Sequence, residues 1–238
     1  MRVRSSSTSP SMDKNLVADI IQWDVRNWSE ALDFWERNVD WDKVDTCLEL
    51  GSKEGGLSLW LALKGKSVLC SDVEDSQDRA RAHHQKHHLN GAIEYAIVDA
   101  TDMPYENQFD VIAFKSVLGG IGGGGHKERQ QRAIDEIYKA LKPGGKLLFV
   151  ENLAGSALHQ WVRRRFIEWG SWWRYVTLDE IRQFCQSFSR LEMHTTGVLG
   201  TFGRSERQRN ALAAVDQALL NRTTPRRWQY LVYGIAEK

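Results

Sequence analysis

The sequence has no run approaching 18 apolar residues, so no transmembrane helix is expected. It has almost no net charge. Its 32 Lys and Arg stand against 31 Asp and Glu, which gives no general steering toward nucleic acid. Cysteine is scarce: Cys47, Cys70 and Cys185 lie far apart, the first two in strand-like apolar runs, and read as reduced core thiols in a reducing compartment. No internal repeat is present. The Ser-rich start MRVRSSSTSPSMDKN has no apolar segment, so a secretory signal is not expected. Residues 1–12 read as a disordered tail, with Met12 as an alternative start, and the expected location is cytoplasmic.

What is there is a chain of 238 residues, 42% hydrophobic and 26% charged. Such a chain can bury a core without disulfide or metal staples, and the composition excludes wholesale disorder, collagen and coiled coil. Residues 13–238 read as one domain, with N-terminal helices over 13–40 and insertions at 153–176 and 203–227. The unusual count is tryptophan, with ten.

Strand and helix patterns alternate along the chain. Leu16, Ile20, Trp23, Trp28, Leu32 and Trp35 keep helical spacing. Strands are predicted at Val44–Leu50, Ser67–Cys70, Ile93–Ile97, Phe109–Phe114, Lys146–Val150, Leu191–Val198 and Trp228–Ala236. Helices are predicted at Gly56–Leu63, Ser76–Leu89 (stopped by Asn90-Gly91), Lys127–Leu141, Thr177–Ser187 with a Thr177–Glu180 capping box, and Ser205–Asn221. Strands separated by helices predict an α/β fold: a Rossmann-like, mostly parallel sheet with helices on both faces. Ligands on such sheets bind beyond the carboxyl ends of the strands.

Between the first strand and its helix stands Glu49-Leu50-Gly51-Ser52-Lys53-Glu54-Gly55-Gly56. Gly51 permits a tight turn, and Gly55 or Gly56 permits a ligand to approach the backbone. The following helix N-terminus has unpaired N–H groups suited to a carboxylate, and Glu49 suits a cationic group. Asp72, at the end of strand two, suits two ribose hydroxyls, and Asp99, at the end of strand three, an adenine amine. A dinucleotide is the rival ligand, but Lys53 stands where G-x-G-x-x-G has its second glycine.

This ordered set resembles the class I S-adenosylmethionine-dependent methyltransferases. The residues that carry the likeness are E-L-G-x-x-x-G at Glu49–Gly55, Asp72, Asp99-Ala100, F-D-V-I at Phe109–Ile112 and L-K-P-G-G-K-L at Leu141–Leu147. The resemblance implies a seven-stranded sheet with an antiparallel last strand and S-adenosylmethionine as cofactor. It implies a cofactor site of Glu49, Gly51, Ser52, Gly55, Asp72, Asp99, Ala100 and Lys115. One departure is Lys53, where the family often has glycine. Ile21–Glu36 and Phe114–Gly122 are similar in phrasing to small methyltransferases of bacterial surface-polysaccharide pathways.

The segment after strand four bears on the acceptor. Lys115–Gly120 lacks the N-P-P-Y type motif for amines and the Pro-Cys nucleophile of cytosine enzymes, so nucleic acid is not the expected partner. O-methylation of a sugar or other small, anionic hydroxyl acceptor is expected. Gly119–Gly125, six glycines in seven residues, reads as a flexible linker or a lid, and His126 after it is the base by position. His83, His84, His87 and His88 form two i, i+4 pairs, but no third ligand is evident; they read as a solvated face, and no metal is expected. Trp161–Tyr175 holds four Trp, four Arg and one Glu. It reads as core, as a sugar-stacking site, or as a peripheral membrane or subunit contact. Arg204–Arg227, with six Arg, reads mainly as a solvated helix. The alternatives are a catalytically silent interaction module of the same fold and a nicotinamide-dependent oxidoreductase.

Overall fold

A computed structural model describes residues 13–89, 91–168 and 170–238. The expected tail over 1–12, the stop at Asn90 and Trp169 lie outside the described residues.

Seven strands form one sheet: β1 (Thr46–Leu50), β2 (Ser67–Asp72), β3 (Ile93–Ile97), β4 (Phe109–Lys115), β5 (Leu141–Asn152), β6 (Arg190–Thr196) and β7 (Leu231–Glu237). Their order is β3-β2-β1-β4-β5-β7-β6. The first five run parallel, and β7 lies antiparallel between β5 and β6. The mostly parallel sheet is what the patterns predict, and the antiparallel last strand is what the resemblance implies. The Pro143–Gly145 turn falls within β5, whose pairing to β4 shifts register between Phe109 and Val111.

Both faces of the central strands are apolar, and alternate residues feed opposite layers. Leu48, Leu50, Ile112, Phe114, Leu147 and Phe149 join one core cluster. It is covered by α7 (Lys127–Ala140) and α9 (Leu178–Phe184) through Ala133, Ile134, Ile137, Ile181 and Phe184. Cys47, Val111, Ala113, Leu148 and Val150 join the other. That layer is α1 (Lys14–Ile21), α2 (Val25–Trp28), α3 (Glu30–Asn38) and α4 (Gly56–Leu63).

The helical spacing over 13–38 becomes three helices, α1 being cut off where Gln22 and Asp24 adopt left-handed backbone, φ 68° and 47°. Trp28, Trp35 and Trp60 are fully buried there, and the Trp35 indole donates to the Gly234 carbonyl at 3.0 Å. The predicted Ser76–Leu89 helix is shorter, α5 (Gln77–His84). The remaining α-helices are α6 (Leu118–Ile121), α8 (Ala157–Phe166), α10 (Glu206–Val215) and the short α11 (Asn221–Thr223). α9 carries the predicted capping box.

The Arg204–Arg227 region is held by its two acids. Glu206 accepts from the Asp24 and Val25 amides, and buried Asp216 accepts from the amides of Val198, Leu199 and Gly200. No helix among the described residues is long and apolar enough to cross a membrane.

Candidate functional site

The strand order reverses between β1 and β4, and the loops that leave these two strands meet. Gly51 (φ +64°) has no room for a side chain, since a Cβ there would lie 2.5 Å from Val117 Cγ2. Lys53 has φ +50°, the left-handed backbone that glycine usually supplies. The lysine therefore keeps the turn a glycine would make, and the Asp72 carboxylate holds its amide at 2.8 Å. Gly55 (φ +73°) is packed from below: a Cβ would lie 2.5 Å from His84 Nε2 and 3.1 Å from Cys70 Sγ.

Glu49 is 2% exposed. A buried carboxylate needs donors, and the nearest are the unpaired amides that open α4. Its oxygens accept from Leu57 at 3.2 Å and Ser58 at 2.7 Å. Glu49, expected to meet a cation, thus also takes up amides expected to stand open for a ligand carboxylate, and each of its oxygens keeps a further lone pair. Burial pushes the Glu49 carboxyl up to about 7.

Lys115 lies close by, half-buried, and desolvation pulls its ammonium down to about 8 while Glu49 works in the opposite direction. Its Nζ donates to the Ile21 carbonyl at the end of α1, 2.7 Å away. Ser116 follows with φ +57°, a second non-glycine in left-handed backbone at the same end of the sheet. Such backbone persists only where its surroundings hold it. Here Ser116 N donates to the Val150 carbonyl, and Asn152 Nδ2 to Ser116 Oγ at 2.8 Å. Glu151, fully buried, accepts from the amides of Val117, Leu118 and Asn152, and burial pushes its carboxyl up to about 7.

Asp72 closes β2 and accepts from the amides of Lys53 and Glu74, which leaves lone pairs on both oxygens. Asp99, after β3, takes both Thr101 donors on Oδ1 and keeps Oδ2. The Thr101 amide holds its carboxyl below the usual range. Ser52 and Ala100 are nearly buried beside these loops.

The glycine-rich stretch, expected as a flexible linker or a lid, is packed rather than free. It forms α6 and a following tight turn, and the tryptophan segment lies on it. A Cβ on Gly119 would collide with Trp173, and one on Gly123 with Trp172. Gly124 N donates to the Trp172 carbonyl, and Arg174 N to the Gly119 carbonyl. Buried Gln130 of α7 fastens the arrangement by donating to the carbonyls of Leu118 and Arg174. His126 caps α7, exposed, with Nδ1 2.8 Å from Glu128.

Trp161–Tyr175 divides by residue. Trp161 and Trp172 are each 56% exposed, Trp173 is half-buried, and Arg163 is buried, with Nη1 on the Leu153 carbonyl and its guanidinium over Tyr175. The single-role readings are corrected accordingly. The histidines are corrected too. His83 and His84 are buried, and they hold the carbonyls of Glu54 at 2.9 Å and Gly55 at 2.8 Å. Three features had no signal in the sequence: the bends at Lys53 and Ser116, buried Arg163, and the histidine brace under the glycine bend.

A family model described as a methyltransferase domain matches residues 48–149, which span β1 through most of β5. The chain carries a class I S-adenosylmethionine-dependent methyltransferase domain. A ubiquinone/menaquinone biosynthesis C-methyltransferase from Hydrogenovibrio crunogenus is 29% identical to this domain over 109 residues. The match covers 44% of this chain and 41% of that relative's length. Two solved structures resemble the methyltransferase fold described above. Phosphoethanolamine N-methyltransferase 2 from Haemonchus contortus, in complex with S-adenosyl-L-methionine, has TM-score 0.61 and 19% identity over 89% of this chain and 52% of its own. The N-methyltransferase NodS from Bradyrhizobium japonicum, in complex with S-adenosyl-L-homocysteine, has TM-score 0.57 and 19% identity, covering 88% and 84%.

Proposed function

We propose that this methyltransferase domain transfers a methyl group from S-adenosylmethionine to a hydroxyl of a small acceptor, a sugar or an anionic compound of surface-polysaccharide type. Its cofactor side is Gly51, Ser52, Gly55, Asp72, Asp99, Ala100 and Lys115, with Glu49 acting from behind. The observation that carries the reading is Asp72. It closes β2, braces the glycine bend through Lys53, and still has lone pairs for a ribose diol. Asp99 Oδ2, one strand further, suits an amine donor. Glu49 acts by holding α4 and the bend in place. When bound, the cofactor supplies a sulfonium methyl open to in-line displacement. The chain's own contribution is then chiefly positioning.

The relatives' names speak of carbon and nitrogen acceptors, so the preference for oxygen rests on this chain. The loop KSVLGG after β4 lacks the amine motif. Arg163, 6% exposed, has an Nη2 with no partner, which supports an anionic acceptor near the end of β5. His126 is the proposed base by its place at the start of α7, a role that His126→Ala tests through rate at unchanged cofactor affinity.

Calorimetry with S-adenosylmethionine tests the cofactor half. Asp72→Asn keeps an acceptor for the Lys53 amide and removes the charge. Charge-assisted hydrogen bonds contribute about 1.5–3 kcal/mol, so affinity is expected to fall about tenfold or more. Unchanged affinity would remove Asp72 from the site. An acceptor panel tests the other half: cofactor bound without product under any acceptor means an interaction module.

A further inference from the structure

We propose that Asp19, His83 and His87 form a divalent metal site of the zinc class, which clips α1 to the α5 segment beneath the glycine bend. One ligating atom from each residue lies within 4.8 Å of the others. His83 lies in the last turn of α5 and His87 three residues past its end, with ring centroids 5.7 Å apart, and Asp19 arrives from α1. His87 Nε2 lies 3.3 Å from Asp19 Oδ2. Metal–ligand bonds of about 2.0–2.1 Å in tetrahedral geometry imply a ligand–ligand edge of about 3.3 Å.

The protonation pattern also fits. The Glu54 carbonyl 2.9 Å from His83 Nδ1 can only accept, so Nδ1 carries a hydrogen and, in the neutral ring, Nε2 has the lone pair. An imidazole that ligates through one nitrogen and donates from the other to a carbonyl is the usual support for a metal-bound histidine. His87 Nε2 is buried and makes no hydrogen bond. Two imidazoles and one carboxylate suit zinc and its neighbours better than calcium or magnesium, and three protein ligands leave one position open to water.

The site lies where it affects the bend without touching the cofactor side. The next two residues of α1 complete its contacts there. The Ile20 carbonyl occupies the space a Gly56 side chain would need, and the Ile21 carbonyl holds Lys115. On the opposite side, His83 and His84 hold the carbonyls of Glu54 and Gly55. A bound ion joins these two supports. This proposal stands on metal binding alone and survives failure of the methyl-transfer reading.

The test uses the full chain, free of any affinity tag and stripped with chelator, titrated with zinc chloride by calorimetry and with cobalt chloride by visible absorption. One ion per chain, a tetrahedral cobalt spectrum and a zinc-dependent rise in melting temperature are expected. His87→Ala, which removes a direct ligand, is expected to weaken zinc binding by at least the roughly 10–100-fold that loss of an outer partner costs. Asp19→Asn, a change on the exposed surface, weakens it as well, while His88→Ala on the adjacent exposed residue does not. The proposal is overturned by absence of saturable binding, or by His87→Ala and Asp19→Asn variants that bind zinc as the wild type does.

Discussion

Trp173 fills the space that a side chain on Gly119 would need, and the two residues come from segments more than fifty positions apart. The backbone joins them again one residue on, where Arg174 N donates to the Gly119 carbonyl. The glycine-rich segment after β4 is therefore packed down by a specific partner.

Gly119→Ala is expected to displace Trp173 and destabilise the fold by about 1–3 kcal/mol, the usual range for overpacking. Trp173→Ala is destabilising by loss of contact. Because the two share one contact, the double variant should lose less than both single losses together. Urea denaturation of all four proteins measures this; strict additivity would mean that the two residues are independent.

Lys53→Gly should raise stability. The lysine sits at φ +50°, and relief of left-handed backbone in a non-glycine outweighs the extra freedom of glycine by about 0.5–1 kcal/mol. Lys53→Val should do the reverse, because a branched side chain tolerates that backbone least. Thermal melting of the pair orders them, and the opposite order would contradict the bend.

Asp24 carries a pH prediction. Burial pushes its carboxyl up to about 7, although Tyr230 and Asn27 both donate to it. Below about pH 4 it is protonated in folded and unfolded chains alike, so its stabilising contribution is complete. As pH rises toward 7 the unfolded chain ionises first, and that contribution is lost. Asp24→Asn removes the titration. Its stability relative to wild type should climb between pH 4 and 7, by up to about 1.4 kcal/mol per unit, and level off above. Parallel pH curves for the two proteins would show that Asp24 ionises normally.

Tryptophans divide by place. Trp161→Ser changes an exposed residue and should alter stability by no more than about 0.5 kcal/mol. Trp28→Ala empties a buried site and should cost about 3–5 kcal/mol. Denaturant midpoints separate the two cases.

How much could be read from the chain alone depends on the range of the forces involved. The continuous apolar run FDVIAF reports a strand buried on both faces, and the alternation of such strands with helices predicts a mostly parallel sheet. Asp72 and Asp99 could be placed at strand ends because a strand's end is a local property. Glu49 was legible as an acid beside a bend, but its partners are amides eight and nine residues on, available only once α4 has formed. The glycine run was misread for a related reason: glycine signals either a free backbone or a crowded one, and the crowding atoms belong to Trp172 and Trp173. The polar histidine helix hid its buried face because the atoms that cover it are backbone carbonyls, which no side-chain pattern reports.

Cys70 lies directly behind the bend, its sulfur 3.1 Å from where a Gly55 side chain would begin. Burial pushes its thiol up to about 12, so in the closed bend it is almost wholly protonated and shielded. A thiol in that state reacts with alkylating reagents only after the surrounding backbone has opened. The molecule thus has a built-in clock: the rate at which Cys70 takes a label measures how often the bend opens, and a ligand that holds the bend shut must slow it.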